Sequence, residues 1–174
     1  GLRARYGVFA VLGNHDTYTG TEEVAAALRD HAPALRLLRT EVVRLPVSAP
    51  FYLAGIDDPG RGWTARGVDL PDLQALAEAL PRDGPTVLLV HRPEAFPQAA
   101  RLGFPLVLAG HTHGGQLALP SAGGHLNLAR LVTRYHRGLF RENESFLYVN
   151  RGAGVAGPAL RVNGPREITT IELV

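Results

Sequence analysis

The sequence contains no cysteine, no methionine and no lysine, and only one tryptophan. Without thiols there is neither a disulfide framework nor a thiolate metal site, so any metal must rest on imidazole, amide and carboxylate groups. Without lysine, all 18 basic residues are arginines. They are dispersed along the chain and the net charge is only +2, which argues against a nucleic-acid surface. No apolar run approaches the roughly 20 residues a membrane span needs. A chain without methionine that opens Gly1-Leu2-Arg3-Ala4-Arg5-Tyr6 and enters a buried strand almost at once is expected to be preceded by further elements. Its 174 residues are expected to form a single domain, 1–174, long enough to bury roughly two-thirds of the unfolded surface.

Histidines fenced by glycines stand out in what is present. The apolar run Leu106-Val107-Leu108-Ala109 stops at Gly110-His111-Thr112-His113-Gly114-Gly115-Gln116. His111 and His113 are two apart, so extended backbone would send both rings to the same side, where they could serve adjacent ions. The same grammar occurs where Gly7–Leu12 runs into Gly13-Asn14-His15-Asp16, and where Thr86–Val90 runs into His91-Arg92-Pro93. In open α/β sheets ligands bind beyond the carboxyl ends of the strands. Three buried strands that each end in donor side chains therefore predict one shared crevice.

The remaining pattern predicts an α/β fold. Thr21 reads as the N-cap of a helix reaching His31, with Glu22 and Glu23 in its first turn. Leu35–Leu38, Val42–Pro46 and Phe51–Ile56 read as short strands forming an antiparallel patch, followed by an Asp57-Asp58-Pro59-Gly60 turn. Asp69-Leu70-Pro71 opens a helix with Leu73, Leu76, Ala77 and Leu80 as its buried stripe. A further helix is predicted over Pro93–Arg101. Strands are predicted at Gln116–Leu119, Phe146–Asn150 and Ile168–Leu173, with an irregular stretch from Ser121 to Arg141.

Asn14, His91, His111 and His113 offer an amide oxygen and imidazoles, a set that suits manganese, iron, cobalt or zinc. All are neutral, so a two-metal cluster held by them alone would be left with uncompensated charge. Asp57 and Asp58 suit their Pro-Gly turn better than ligation, and the carboxylates are expected upstream of Gly1. His15 beside Asp16 suggests an imidazole that protonates a leaving group or stabilises a transferring phosphoryl group. Asp16 also reads as a cap of its loop, and the two roles are compatible. Arg92 and Arg151 read either as phosphate holders or as ion-pair partners. His31, His125 and His136 read as ordinary surface or packing residues, and Trp63 as a hydrophobic plug rather than a lid.

Taken in order, Gly13-Asn14-His15-Asp16, the strand ending at His91, and Gly110-His111-Thr112-His113 resemble the last three of the five motifs of calcineurin-like metallophosphoesterases. Ala109–Gln116 and the tail from Tyr148-Val149-Asn150-Arg151-Gly152 to Pro165-Arg166-Glu167-Ile168 are similar to a bacterial branch of small phosphodiesterases. The resemblance implies two mixed β-sheets packed face to face and flanked by helices, with the N-terminal βαβ portion absent. It implies two divalent metal ions, Asn14, His91 and His111 binding the second and His113 the first. His15 would be the transition-state or leaving-group histidine and Asp16 its orienting partner. The family's first two motifs, an aspartate and histidine two apart and then a Gly-Asp pair, are expected before the Gly13 loop; residues 1–12 contain no aspartate, glutamate or histidine.

The implied activity is metal-dependent hydrolysis of a phosphoester, a phosphodiester or phosphomonoester, through a dinuclear site. The implied substrate is a phosphorylated small molecule or a lipid-related one. The resemblance leaves the location open between a bacterial cytoplasm and a membrane periphery, the latter reached through a segment preceding Gly1. The alternative is a catalytically incomplete fragment acting as a metal- or phosphate-binding module.

Overall fold

A computed structural model describes residues 2–60, 70–116, 118–121, 124–127, 129, 133–157 and 159–173. Asp69, Trp63 and the side chain of His125 lie outside the described residues. The first strand, β1 (Val8–Ala10), leads through Gly13 into α1 (Asn14–Thr19) and α2 (Thr21–His31). The four residues expected to form a loop are therefore largely helical. Gly13 is the N-cap of α1, and the Asp16 carboxylate accepts its backbone N–H at 2.7 Å, satisfying one end of a very short helix. Strand β2 (Leu35–Leu37) then pairs with β1 in parallel rather than joining an antiparallel patch.

The main sheet has six strands in the order β3 (Glu41–Arg44), β4 (Tyr52–Gly55), β5 (Thr86–Leu89), β6 (Leu106–Ala109), β10 (Ser145–Val149), β9 (Gly138–Glu142). In chain order β3 (Glu41–Arg44) and β4 (Tyr52–Gly55) form an antiparallel pair, followed by α3 (Pro71–Glu78) and β5 (Thr86–Leu89). A 3-10 turn over Pro93–Ala95 then passes into α4 (Phe96–Arg101), which leads to β6 (Leu106–Ala109). The single predicted helix over Pro93–Arg101 is split because Pro97 cannot donate an N–H across the junction. A two-stranded ribbon follows, β7 (Ala118–Ser121) with β8 (Gly124–Asn127), and then β9 (Gly138–Glu142) and β10 (Ser145–Val149). Strands β4, β5, β6 and β10 run parallel and β9 closes the edge antiparallel. The fold is α/β with a mixed sheet flanked by helices, as expected.

Two further stretches differ from expectation. Strands β8 and β9 arise within the segment expected to be irregular. Residues 168–173 form no strand: Ile168 is 95% exposed, and no strand pairs with this segment. Its alternating apolar pattern fits a sheet surface, but a strand also needs a partner for its backbone groups.

One face of the main sheet carries the core. Val42, Ala54, Leu88, Val107, Leu147 and Phe140 are matched residue to residue across the six strands. Leu73 and Leu76 of α3 and Phe96 and Ala99 of α4 cover that row. Gln98 locks the two helices together: its side-chain amide donates to the Leu70 carbonyl and its carbonyl accepts the Leu70 N–H, each at 3.0 Å. The β1-β2 layer approaches the opposite face at Gly55, where a Cβ would stand 2.3 Å from Leu38 Cβ and 2.9 Å from Val11 Cγ1. The second sheet is thus held close by the absence of a side chain.

Gly55→Ala is expected to destabilise the fold by about 1–3 kcal/mol through overpacking of this interface. Denaturant unfolding measures it; an unchanged midpoint would show that the two layers separate freely.

Candidate metal centre

Backbone pairing continues past the ends of β5 and β6 and brings their termini together. The Val90 N–H reaches the Leu108 carbonyl at 3.1 Å, and the Gly110 N–H reaches the His91 carbonyl at 3.1 Å. His91 and His111 consequently meet, their ring centroids 4.7 Å apart and their planes at 66°. Asn14, buried at the start of α1, arrives from the side. Its amide oxygen lies 2.9 Å from His91 Nε2, and His111 Nδ1 lies 3.0 Å from the same nitrogen.

These contacts are not an ordinary hydrogen-bond chain. A neutral His91 can present either N–H or a lone pair at Nε2. If it donates to Asn14 Oδ1, no lone pair remains for His111; if it accepts from His111, two lone pairs face each other across the Asn14 contact. A cation held by Asn14 Oδ1, His91 Nε2 and His111 Nδ1 together would resolve this mismatch. Ligand atoms about 2.0–2.1 Å from a divalent ion in adjacent positions are themselves about 3 Å apart, close to the spacings seen here. The residues present therefore fit one divalent ion.

The electrostatics agree. Burial pushes His91 below its ordinary range, and burial together with the neighbouring His91 pushes His111 down to about 4. Both rings are neutral near pH 7, the form that ligates metals.

Gly13 makes this packing possible. A Cβ on Gly13 would sit 2.7 Å from His91 Cε1 and 2.8 Å from Nδ1, so the backbone lies against the imidazole face. The φ of Gly13 is −103°, accessible to any residue, and the His91 ring alone dictates glycine there.

His113 stands apart from this trio. The backbone of the histidine loop is not extended: His111 has φ 68° and His113 φ 51°, and His113–Gly115 forms a 3-10 turn. The two-residue spacing therefore does not place the rings side by side. His113 Nδ1 instead faces the Arg161 guanidinium at 3.5 Å. Burial and that guanidinium lower its pKa. His15 is exposed, with its ring edge on Tyr18 at 5.9 Å between centroids. Asp16 directs its carboxylate to the Gly13 N–H.

The remaining candidates are also engaged. Asp57 pairs with Arg39 at 2.7 Å. Asp58 pairs with Arg92 through Nε–Oδ2 at 2.6 Å and Nη2–Oδ1 at 2.9 Å, with both side chains buried. Arg151 pairs with Glu167. His31 is exposed, and the His136 carbonyl accepts the Thr112 hydroxyl at 2.6 Å. Among the described residues no group of three or more His, Asp or Glu side chains forms a metal cluster; the trio has two imidazoles and an amide.

Sequence reasoning missed two supports of this loop, Thr112 and Arg161. The guanidinium of Arg161 donates to the carbonyls of Gly154, Arg151 and Gly164 at 2.9, 2.8 and 3.2 Å. No local pattern announces either residue, because their partners are distant in sequence.

The chain is 37% identical over 176 residues to an uncharacterized metallophosphoesterase of Campylobacter jejuni, a match covering 99% of this chain and 43% of that protein. It is 34% identical over 186 residues to a transmembrane protein with metallophosphoesterase domain of Bos taurus, covering 99% and 40%. It is 32% identical over 169 residues to phosphodiesterase YaeI of Escherichia coli, covering 95% and 58%. The chain thus spans about half the length of these curated relatives. No family model matches the chain, and no solved structure matches it significantly.

Gly13→Ala is expected to push the His91 ring off Asn14 and His111 while leaving the fold in place. Long-range nitrogen–proton NMR of the imidazoles reads this directly; unshifted His91 resonances would contradict the close packing.

Proposed function

Since the chain belongs to the calcineurin-like metallophosphoesterases, we propose that it supplies the Asn14-His91-His111 half of a metal centre that hydrolyses phosphoesters. The convergence of Asn14 Oδ1, His91 Nε2 and His111 Nδ1 carries this reading. The names of the relatives support phosphoester hydrolysis as the chemistry of the family.

A divalent ion in this cradle supplies Lewis acidity toward a phosphoryl oxygen and acidifies a water. Asn14, His91 and His111 would hold it, the two histidines placed by the sheet register and Asn14 by the start of α1. His113, beside Arg161, would serve a second ion together with carboxylates supplied from outside the described residues. His15 at the exposed start of α1 stands free to protonate a departing alkoxide. Asp16 acts on it through the backbone, by capping the turn that presents it. The substrate class we propose is a phosphodiester or phosphomonoester of a small or lipid-related molecule, and the metal is manganese, iron, zinc or cobalt.

A second reading has its own observation. Asp16, Asp57 and Asp58 are committed to Gly13, Arg39 and Arg92. The trio is therefore a neutral, single-ion cradle, and this chain acts as a metal- or phosphate-binding module without turnover.

Elemental analysis of the 174-residue chain, paired with hydrolysis of a nitrophenyl phosphodiester under added manganese, separates the two. Two bound ions with turnover establish the hydrolase reading for this chain, and one ion without turnover establishes the module. His111→Ala is expected to abolish metal uptake in either case. Retention of metal by that variant would sink both readings.

A further inference from the structure

The hydroxyl of Thr112 ties the histidine loop to a distant, packed part of the fold. It donates to the His136 carbonyl at 2.6 Å and accepts the Gly114 N–H at 3.2 Å. A hydroxyl has one proton to give and lone pairs to receive, so both contacts form at once. We propose that Thr112 is a positioning residue of the metal centre: its hydroxyl pins the turn that sends His111 into the cradle and His113 towards Arg161. This assignment rests on reading Asn14, His91 and His111 as a cation site.

The backbone changes hand on either side of Thr112. Its φ of −77° and ψ of −13° are right-handed, while His111 and His113 have φ 68° and 51°. Left-handed backbone is disfavoured for residues with a Cβ and persists only where the surroundings impose it. The Thr112 N–H reaches the Gly110 carbonyl and its own carbonyl accepts the Gly115 N–H, each at 2.8 Å. The loop thus closes on itself around this residue, and the hydroxyl joins the closed turn to the segment over 133–137.

That segment is anchored in the core. Tyr135, next to His136, is 3% exposed, and its ring stands edge-on to Phe96 and Phe140 at 5.6 and 5.2 Å between centroids. Its hydroxyl meets Glu142, and its N–H donates to the Thr133 hydroxyl at 3.2 Å. Phe96 opens α4 a short way past His91 in the chain. Contacts therefore run from the histidine loop through Thr112, His136 and Tyr135 to the stretch that carries His91. The Thr112 hydroxyl accordingly helps to set the two imidazoles against each other, while the tail grips the loop further on, at Gly114 and Gln116.

Thr112→Val keeps the branched shape and removes the hydroxyl; Thr112→Ser keeps the hydroxyl and removes the methyl. Titration of the 174-residue chain with Co²⁺ at neutral pH, followed by visible absorbance, is expected to show about 10–100-fold weaker binding for Thr112→Val. Thr112→Ser is expected to lose less than about 10-fold. In the metal-free chain, long-range nitrogen–proton NMR is expected to show the His111 imidazole resonances moved in Thr112→Val and retained in Thr112→Ser.

A bond that only stabilises the fold would lower the unfolding midpoint and leave the affinity of the folded chain alone, so wild-type Co²⁺ affinity in Thr112→Val would overturn the proposal. Equal weakening in Thr112→Ser and Thr112→Val would overturn it as well, since the hydroxyl would then not be the group that acts. If Thr112→Val does not fold, Thr112→Ala takes its place in the same comparison. The His111→Ala control separates the two levels. Its loss of Co²⁺ with wild-type affinity in Thr112→Val removes only the positioning role, whereas a wild-type chain that takes up no Co²⁺ removes the cation site and this role together.

Discussion

The parallel register between β5 and β6 is the constraint on which the rest depends. Leu89 is paired with Leu108, and the ladder continues until the Gly110 N–H meets the His91 carbonyl. A slip of one residue would turn one histidine to the other face of the sheet, since side chains alternate with period two. The register is itself fixed by the core, because Val107 must face Leu88 and Leu147 beneath α3 and α4. Burial of apolar side chains on one face thus sets the meeting of two imidazoles at the end of the sheet. Asn14 is placed separately, by a six-residue helix whose first turn depends on one carboxylate and one glycine.

The histidines converge as neutral donors because they are half-buried at the ends of β5 and β6. The nearby carboxylates are taken up locally. Asp16 caps a helix, Asp57 meets Arg39 and Asp58 meets Arg92. The cation proposed above would meet neutral imidazoles beside these paired charges, any of which would be costly to desolvate if left alone.

Much of this was legible from sequence. Apolar runs ending in Gly-Asn-His, Val-His and Gly-His are parallel strands that stop at donors, although β1 is only half-buried, and the structure places Asn14, His91 and His111 together. The helices over Thr21–His31 and from Pro71 follow from first-turn residues and stripe. What was not legible involves partners rather than patterns. The alternation at Ile168–Leu173 is real, but it finds no neighbouring strand. Strand β9 forms on an edge, where Leu139 is 64% exposed and the apolar signal is weak. Arg92 was read as a phosphate holder or an ion-pair partner. Its burial against Asp58, 34 residues away, lies in tertiary structure alone.

The histidine loop shows why pattern was insufficient there. Two non-glycine residues with φ of 68° and 51° cost on the order of 1–3 kcal/mol each and persist only where surroundings dictate them. Those surroundings come from the tail. The stem of Arg151 fills the space over Gly114, where a Cβ would meet its Cγ at 2.4 Å. Arg151 is held in turn by Glu167. Burial works against ionisation of Glu167, but hydrogen bonds from Tyr148, Thr169 and Arg151 outweigh it and keep its carboxylate below the usual range. The Gln116 side chain clamps the Ala156 backbone from both sides, at 2.9 and 2.7 Å, and the Val162 N–H closes on the Gln116 carbonyl at 2.9 Å. The tail that forms no strand therefore has a definite role: it replaces sheet pairing with side-chain contacts and holds the loop that aims His111 into the cradle and keeps His113 out of it.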